Sequence, residues 1–98
     1  GKWVSPKEVE NCLIQHPSIA EAVVVGITDS SGLTKPYAFV ETGETRTTFT
    51  VELMDFVRER IQPYKCPRKI TLMKTLPRTH LGKIDRGHLR ASVIGANT

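Results

Sequence analysis

Ile19-Ala20-Glu21-Ala22-Val23-Val24-Val25-Gly26-Ile27 decides the fold: five of its nine residues are β-branched, and the run is bounded by Pro17 and by Thr28-Asp29-Ser30-Ser31-Gly32. A short apolar run of this composition, closed by turn formers at each end, reads as a well-buried strand. Downstream of the loop, Tyr37–Glu41 reads as a second strand, antiparallel to the first, with Pro36 at its entry, where a missing N–H is tolerated. Upstream, Val4-Ser5-Pro6-Lys7-Glu8-Val9 predicts a helix start. Ser5 is the expected cap, Pro6 takes the first helical position, Glu8 completes a capping box, and Val4 and Val9 form a hydrophobic staple. Val9, Cys12, Leu13 and His16 follow helical spacing, with Ile14 widening the apolar face, so this helix is expected from about Pro6 to His16.

Thr42–Thr48 has few apolar residues and reads as a connector. Thr50 is the expected cap of a second helix running to about Ile61, with Leu53, Met54, Val57 and Ile61 on one face and Phe56 beside them. Tyr64-Lys65-Cys66-Pro67-Arg68-Lys69 is basic, aromatic and stiffened by proline. Ile70–Leu76 reads as a third strand. A last helix is expected from about Arg86 to Val93, capped by Asp85, with Gly95–Thr98 frayed. The order helix, strand, strand, helix, strand, helix predicts an α+β fold: a small three-stranded, mainly antiparallel sheet packed with about three helices.

The 98 residues suit one small domain, which buries about 60–65% of its unfolded surface. No apolar run reaches membrane-spanning length, and no signal peptide is visible. The chain opens at Gly1 without an initiator Met, almost directly on a helix start, as a piece cut from something longer would. Fourteen Lys and Arg against ten Asp and Glu give a net charge of +4, which favours an anionic partner. Cys12 and Cys66 lie far apart, without C-x-x-C or paired-His spacing, which argues against zinc and for a reduced, cytoplasmic setting. His16, His80 and His88 form no nucleophile or metal constellation, and Cys12 reads as core.

Between the third strand and the last helix lies Leu76-Pro77-Arg78-Thr79-His80-Leu81-Gly82-Lys83-Ile84-Asp85-Arg86. Proline stiffens its entry, and glycine loosens its middle directly before a lysine. Such a loop can hold an ammonium in solvent at a defined place, where it suits a phosphate or carboxylate oxygen. A nucleotide-binding P-loop is excluded twice: Ile84 stands where the Mg²⁺-binding hydroxyl belongs, and Pro77 where the first glycine belongs. The Gly82-Lys83 pair alone reads as an ordinary exposed turn.

Two stretches together carry more. Gly1-Lys2-Trp3-Val4-Ser5-Pro6-Lys7-Glu8-Val9-Glu10 resembles the G-x-x-V-S-P-x-E-V-E opening of the C-terminal domain of adenylate-forming enzymes, the superfamily of acyl-CoA synthetases, peptide-synthetase adenylation domains and luciferases. The Leu76–Arg86 loop resembles its final motif, L-P-[RK]-T-x-x-G-K-I-x-R. The basic Tyr64–Arg68 segment is similar to that of acyl- and benzoate-type CoA ligases, whereas peptide-synthetase domains usually carry Y-M-V-P there.

The resemblance implies that residues 1–98 are the mobile, lid-like C-terminal domain of an ATP-dependent acyl- or aryl-CoA ligase. A large N-terminal domain would carry the acyl pocket, and a hinge would lie just before Gly1. It assigns Lys83 to ATP and to catalysis of the first step, in which a carboxylate attacks the α-phosphate and gives an acyl-adenylate and pyrophosphate. Positioned charge is the main device in such transfers, and its loss costs about 3–4 kcal/mol, or 10²–10³ in rate. In the second step the domain rotates, and the thiol of CoA displaces AMP. Gly1 would leave room for the pantetheine arm, Tyr64 would offer a ring to the adenine, and Lys65, Arg68 and Lys69 would meet the phosphates. Mg²⁺ is implied by the ATP chemistry, with ligands outside this chain. Some relatives carry a further cation at the position of Cys66, and that contact is missing here.

Plainer readings stand beside these: Tyr64 packing on a helix end, Lys65 and Arg68 merely solvated, Trp3 as an edge packing residue. The rival functions are a free-standing basic nucleic-acid-binding module, a peptide-synthetase adenylation domain, and an accessory partner completing a site in trans. No specific nucleic-acid or membrane partner is expected, and the isolated piece should turn nothing over.

Overall fold

The β-branched run forms β1 (Ile19–Thr28), paired antiparallel with β2 (Thr34–Thr42) from Ile19↔Thr42 to Thr28↔Thr34. The structure, a computed structural model, describes residues 5–96. Around the hairpin lie α1 (Pro6–Ile14), α2 (Phe49–Arg58), a 3-10 turn (Pro63–Lys65), β3 (Lys69–Met73) and α3 (Arg86–Ala96). The sheet order is β1-β2-β3, with β3 parallel to β2 from Tyr37↔Lys69 to Glu41↔Met73. The sheet is therefore mixed. Its longer ladder is antiparallel, and the parallel one follows from the strand–helix–strand order β2-α2-β3, because parallel neighbours need a crossover between them.

Alternation along the strands feeds two cores. Ala22, Val24, Ala38, Val40 and Ile70 face α1 and α2, packing with Val9, Leu13, Phe49, Leu53 and Val57. Val23, Val25, Ile27 and Phe39 face the other way and pack with Leu76 and Leu89 of the α3 side. β1 is apolar at consecutive positions because both its faces are covered. A register shift between Ile19 and Glu21 turns Ala20 outward before the alternation begins.

Several local expectations are corrected. Ser5 occupies the N-cap of α1, but its side chain makes no capping bond, and the Glu8 carboxylate reaches Lys65 instead of closing a capping box. Helix α1 stops at Ile14, which is 42% exposed rather than part of the apolar face. Helix α2 begins at Phe49, not after Thr50; the Thr50 hydroxyl donates to Thr47 O at 3.0 Å, and Phe49 is fully buried. It ends at Arg58, and the Arg60 and Ile61 amides fold back onto Val57 O. β3 starts one residue earlier and ends three earlier than expected, since the Leu76 amide is taken by Glu41.

Pro36 lies inside β2 opposite Gly26 rather than at its entry. Its missing N–H falls on the side away from β1, before β3 begins, so no ladder bond is lost. Asp85 caps α3 as expected, its Oδ1 accepting from the His88 amide at 3.0 Å. Helix α3 continues through Ala96, past the expected end near Val93. The Val4 staple, the Trp3 packing and fraying at 97–98 lie outside the described residues.

Candidate functional site

Leu76 and Ile84 root the loop between β3 and α3 in the core that holds α3. Between them the chain doubles back. Arg78 and Ile84 form an antiparallel bridge, the Thr79 amide donates to Lys83 O at 2.7 Å, and the Gly82 amide donates to Thr79 O at 2.9 Å. Gly82 turns the corner at φ +86°, a conformation that L side chains rarely adopt. Lys83 leaves directly after this corner and is exposed. Among the described residues its ammonium has no hydrogen-bond or ion-pair partner. A lysine so placed projects a full positive charge from a closed, hydrogen-bonded hairpin.

Each leg of the hairpin is tied down by a carboxylate. On the entering leg, Glu41 Oε1 accepts from the Leu76 amide at 3.0 Å and lies 3.8 Å from the Arg78 guanidinium, which reaches Gly82 O at 3.5 Å. On the leaving leg, Arg86 Nη1 donates to Glu10 Oε2 and to Val24 O, both at 3.0 Å, while Glu10 Oε2 also accepts from the Val24 amide at 2.8 Å. These bonds, with Arg90 Nε donating to Gly26 O at 3.3 Å, cover the open edge of β1, which would otherwise present unpaired backbone groups. Sequence reasoning gave Glu10, Glu41, Arg78 and Arg86 no role of their own. The available signal was Glu10, an acidic residue next to Val9 on the apolar side of a short helix.

The five residues expected at the second site divide. Gly1 lies outside the described residues. Tyr64 and Lys65 sit on the 3-10 turn, with the Lys65 ammonium 5.7 Å from the Tyr64 ring centroid and 3.0 Å from Glu8 on α1. The hydrogen bond that its ammonium donates to Glu8 raises the Lys65 pKa above the ordinary lysine value. Arg68, just before β3, and Lys69, its first residue, line a groove of about 430 Å³ with Tyr37, Phe39, Thr71 and Ser92. Among the described residues neither of these two side chains has an ion-pair partner, so the groove presents two available cations.

His16, Cys12 and Cys66 have structural explanations. The His16 ring packs edge-on to Phe49 and Phe56, accepts from the Ser18 amide and lies 3.3 Å from Glu52. Burial pushes the thiols of Cys12 and Cys66 up, which keeps them protonated and weakly nucleophilic. Among the described residues no group of three His, Cys, Asp or Glu side chains could hold a metal. No described helix is long and apolar enough to cross a membrane.

Comparison with known proteins gives this geometry its context. The model of the AMP-binding enzyme C-terminal domain matches residues 8–83. A 3-hydroxybenzoate–CoA ligase of Aromatoleum sp. (strain CIB) is 38% identical over 93 residues, covering 92% of this chain and 18% of that protein. A benzoate–CoA ligase of Thauera aromatica is 42% identical over 98 residues, covering 94% and 18%. Among solved structures, an anthranilate CoA ligase in complex with anthranoyl-AMP superposes with a TM-score of 0.84 at 39% identity, over 100% of this chain and 20% of that one. The chain thus spans about a fifth of the length of these relatives. The nucleic-acid-binding reading gains no support from them. With more than three quarters of its residues and its whole sheet inside the match, the chain belongs to the AMP-binding enzyme C-terminal domain family.

Proposed function

We propose that the chain works as the mobile C-terminal domain of an ATP-dependent acyl- or aryl-CoA ligase, carrying a lysine to an active site formed mostly by a larger N-terminal domain. The observation that carries this reading is the unpartnered ammonium of Lys83 at the corner of an anchored hairpin. In the first half-reaction a substrate carboxylate oxygen bonds to the α-phosphorus of ATP, and the bond to pyrophosphate breaks. Lys83 lies between the two anionic partners, where its charge offsets the negative charge that builds during transfer. It needs no base character, because the attacking carboxylate has no proton to give up. ATP chemistry of this kind calls for Mg²⁺. We place its ligands in the larger N-terminal domain; among the described residues no group of three His, Cys, Asp or Glu side chains gathers to hold one.

In the second half-reaction the CoA sulfur bonds to the acyl carbon and AMP leaves. Gly1, Tyr64, Lys65, Arg68 and Lys69 are the proposed CoA contacts. The support is strongest for Arg68 and Lys69, whose cations line an open groove. It is weakest for Lys65, which Glu8 already engages. An aromatic acid is the proposed substrate class, since the relatives above are benzoate-, hydroxybenzoate- and anthranilate–CoA ligases. Two free cysteines agree with a reducing compartment such as the cytoplasm.

In the intact enzyme, Lys83→Ala is expected to slow benzoyl-adenylate formation by about 10²–10³. It should leave thioester formation from supplied benzoyl-adenylate and CoA unchanged. Equal loss in both half-reactions would refute the assignment of Lys83 to the first.

A further inference from the structure

The two stretches that identified the family are joined in space. Glu10 closes the first and Arg86 closes the second. Arg86 Nη1 lies 3.0 Å from Glu10 Oε2 and 3.0 Å from Val24 O. The same carboxylate oxygen takes the Val24 amide at 2.8 Å. We propose that Glu10 and Arg86 are positioning residues for Lys83: a buried carboxylate on α1 grips the leaving leg of the lysine hairpin and fixes where the ammonium points. The inference rests on the reading of Lys83 given above.

Three features separate this from ordinary surface pairing. Glu10 is 5% exposed, so its charge has been taken out of water, and isolated burial of a carboxylate is strongly unfavourable. The Arg86 side chain is half exposed, so the pair joins a buried carboxylate to a cation at the surface, and such a pair gives little net stability over an apolar replacement; a gain in geometry is the better reason for keeping it here. Among the described residues this is also the sole ion pair linking α1 to α3. Arg86 lies three residues after Lys83, with Asp85 between holding the Pro77 carbonyl through its amide at 2.9 Å and capping the helix through its carboxylate. Freeing Arg86 releases the helix start, and with it the one leg of the hairpin that carries the lysine. Catalysis by a placed charge is sensitive to about 1 Å of misplacement, at up to 10² in rate.

The test is a half-reaction split in the intact enzyme, with benzoate as probe acid and Lys83→Ala as control. Arg86→Gln is expected to lower kcat for benzoyl-adenylate formation by about 10- to 100-fold with the KM for ATP little changed. Glu10→Gln, which keeps an acceptor for the Val24 amide, should lower it in the same direction by less. Arg86→Lys should restore part of the loss. All three should form the thioester from supplied benzoyl-adenylate at the parent rate. Two outcomes would overturn the positioning role while Lys83→Ala still blocks adenylation: both Gln variants within twofold of the parent, or both half-reactions slowed equally, as plain destabilisation would do. If Lys83→Ala itself leaves adenylation intact, the reading of Lys83 fails first and takes this one with it.

Discussion

Gly82→Ala isolates the torsional demand of the lysine hairpin from every other effect. Gly82 sits at φ +86°, and a Cβ built on it meets no atom within 4 Å, so alanine there adds no clash. What remains is the cost of holding an L residue in the left-handed region, about 1–2 kcal/mol. Stiffening the unfolded chain returns about 0.4–1 kcal/mol. The net loss is therefore about 1 kcal/mol, or roughly fivefold in the population of the closed hairpin. Asparagine tolerates this region and should cost less; valine, β-branched, should cost more. Gly87 is the internal control. It lies in the first turn of α3 without positive φ, and its Cβ would meet only Asp85 Oδ1 at 3.6 Å, so Gly87→Ala should stabilise by up to about 1 kcal/mol. The assay is urea denaturation of the 98-residue chain together with hydrogen exchange at the Thr79 amide, which the hairpin protects through its 2.7 Å bond to Lys83 O. Exchange there should quicken about fivefold in Gly82→Ala and not at all in Gly87→Ala. If the two alanine substitutions change stability with the same sign, or alanine at position 82 is as silent as asparagine, the hairpin does not depend on a left-handed corner.

Two further outcomes test the scaffold. Leu89 is 1% exposed in the core beneath α3, so Leu89→Ala should cost about 3–4 kcal/mol in urea denaturation, and a loss below about 1 kcal/mol would mean that α3 is not seated on the sheet. Asp29 in the β1–β2 turn is held down to about 2, first by the Ser31 hydroxyl and then by the Leu33 amide, the Ser31 amide and Lys35 adding to them. Its folded pKa lies below the unfolded one, so its contribution is present above about pH 4 and fades as pH falls toward 2. The stability gap between the parent and Asp29→Asn should therefore close between pH 5 and pH 2, and a gap constant across that range would refute the assignment.

What was legible in the sequence followed from local chemistry. β1 announced itself because a two-sided core demands apolar residues at consecutive positions, and the lysine loop because proline stiffens its entry and glycine loosens its middle, though its closing into a hairpin was not read. Asp85 was readable as a cap because it immediately precedes a helix. Errors arose where two local uses compete for one group and a distant residue decides. Ser5 and Glu8 spell a capping box, yet Lys65, far along the chain, takes the Glu8 carboxylate. Phe49 looked like a residue before a helix because Thr50 resembled a cap, whereas the ring is buried and the helix starts two residues earlier, with Thr48 at the N-cap. The Glu10–Arg86 contact was out of reach for the same reason, since neither residue's neighbours reveal the other.

The availability of Lys83 is itself a consequence of those distant contacts. A lone ammonium on a rim usually finds a carboxylate, and acidic residues lie at both roots of its hairpin. Glu41 is held by the Leu76 amide and Arg78, Glu10 by the Val24 amide and Arg86, and Asp85 by the amide that begins α3. Each carboxylate already has a backbone donor, and the two glutamates have an arginine as well. Lys83 would have to compete with donors already in place to pair with any of them, and a flexible four-carbon stem loses rotamer freedom in doing so. The arginines of the loop thus do two things at once: they fasten the hairpin, and by occupying the acids they leave its lysine charged, extended and open to an anion supplied from outside.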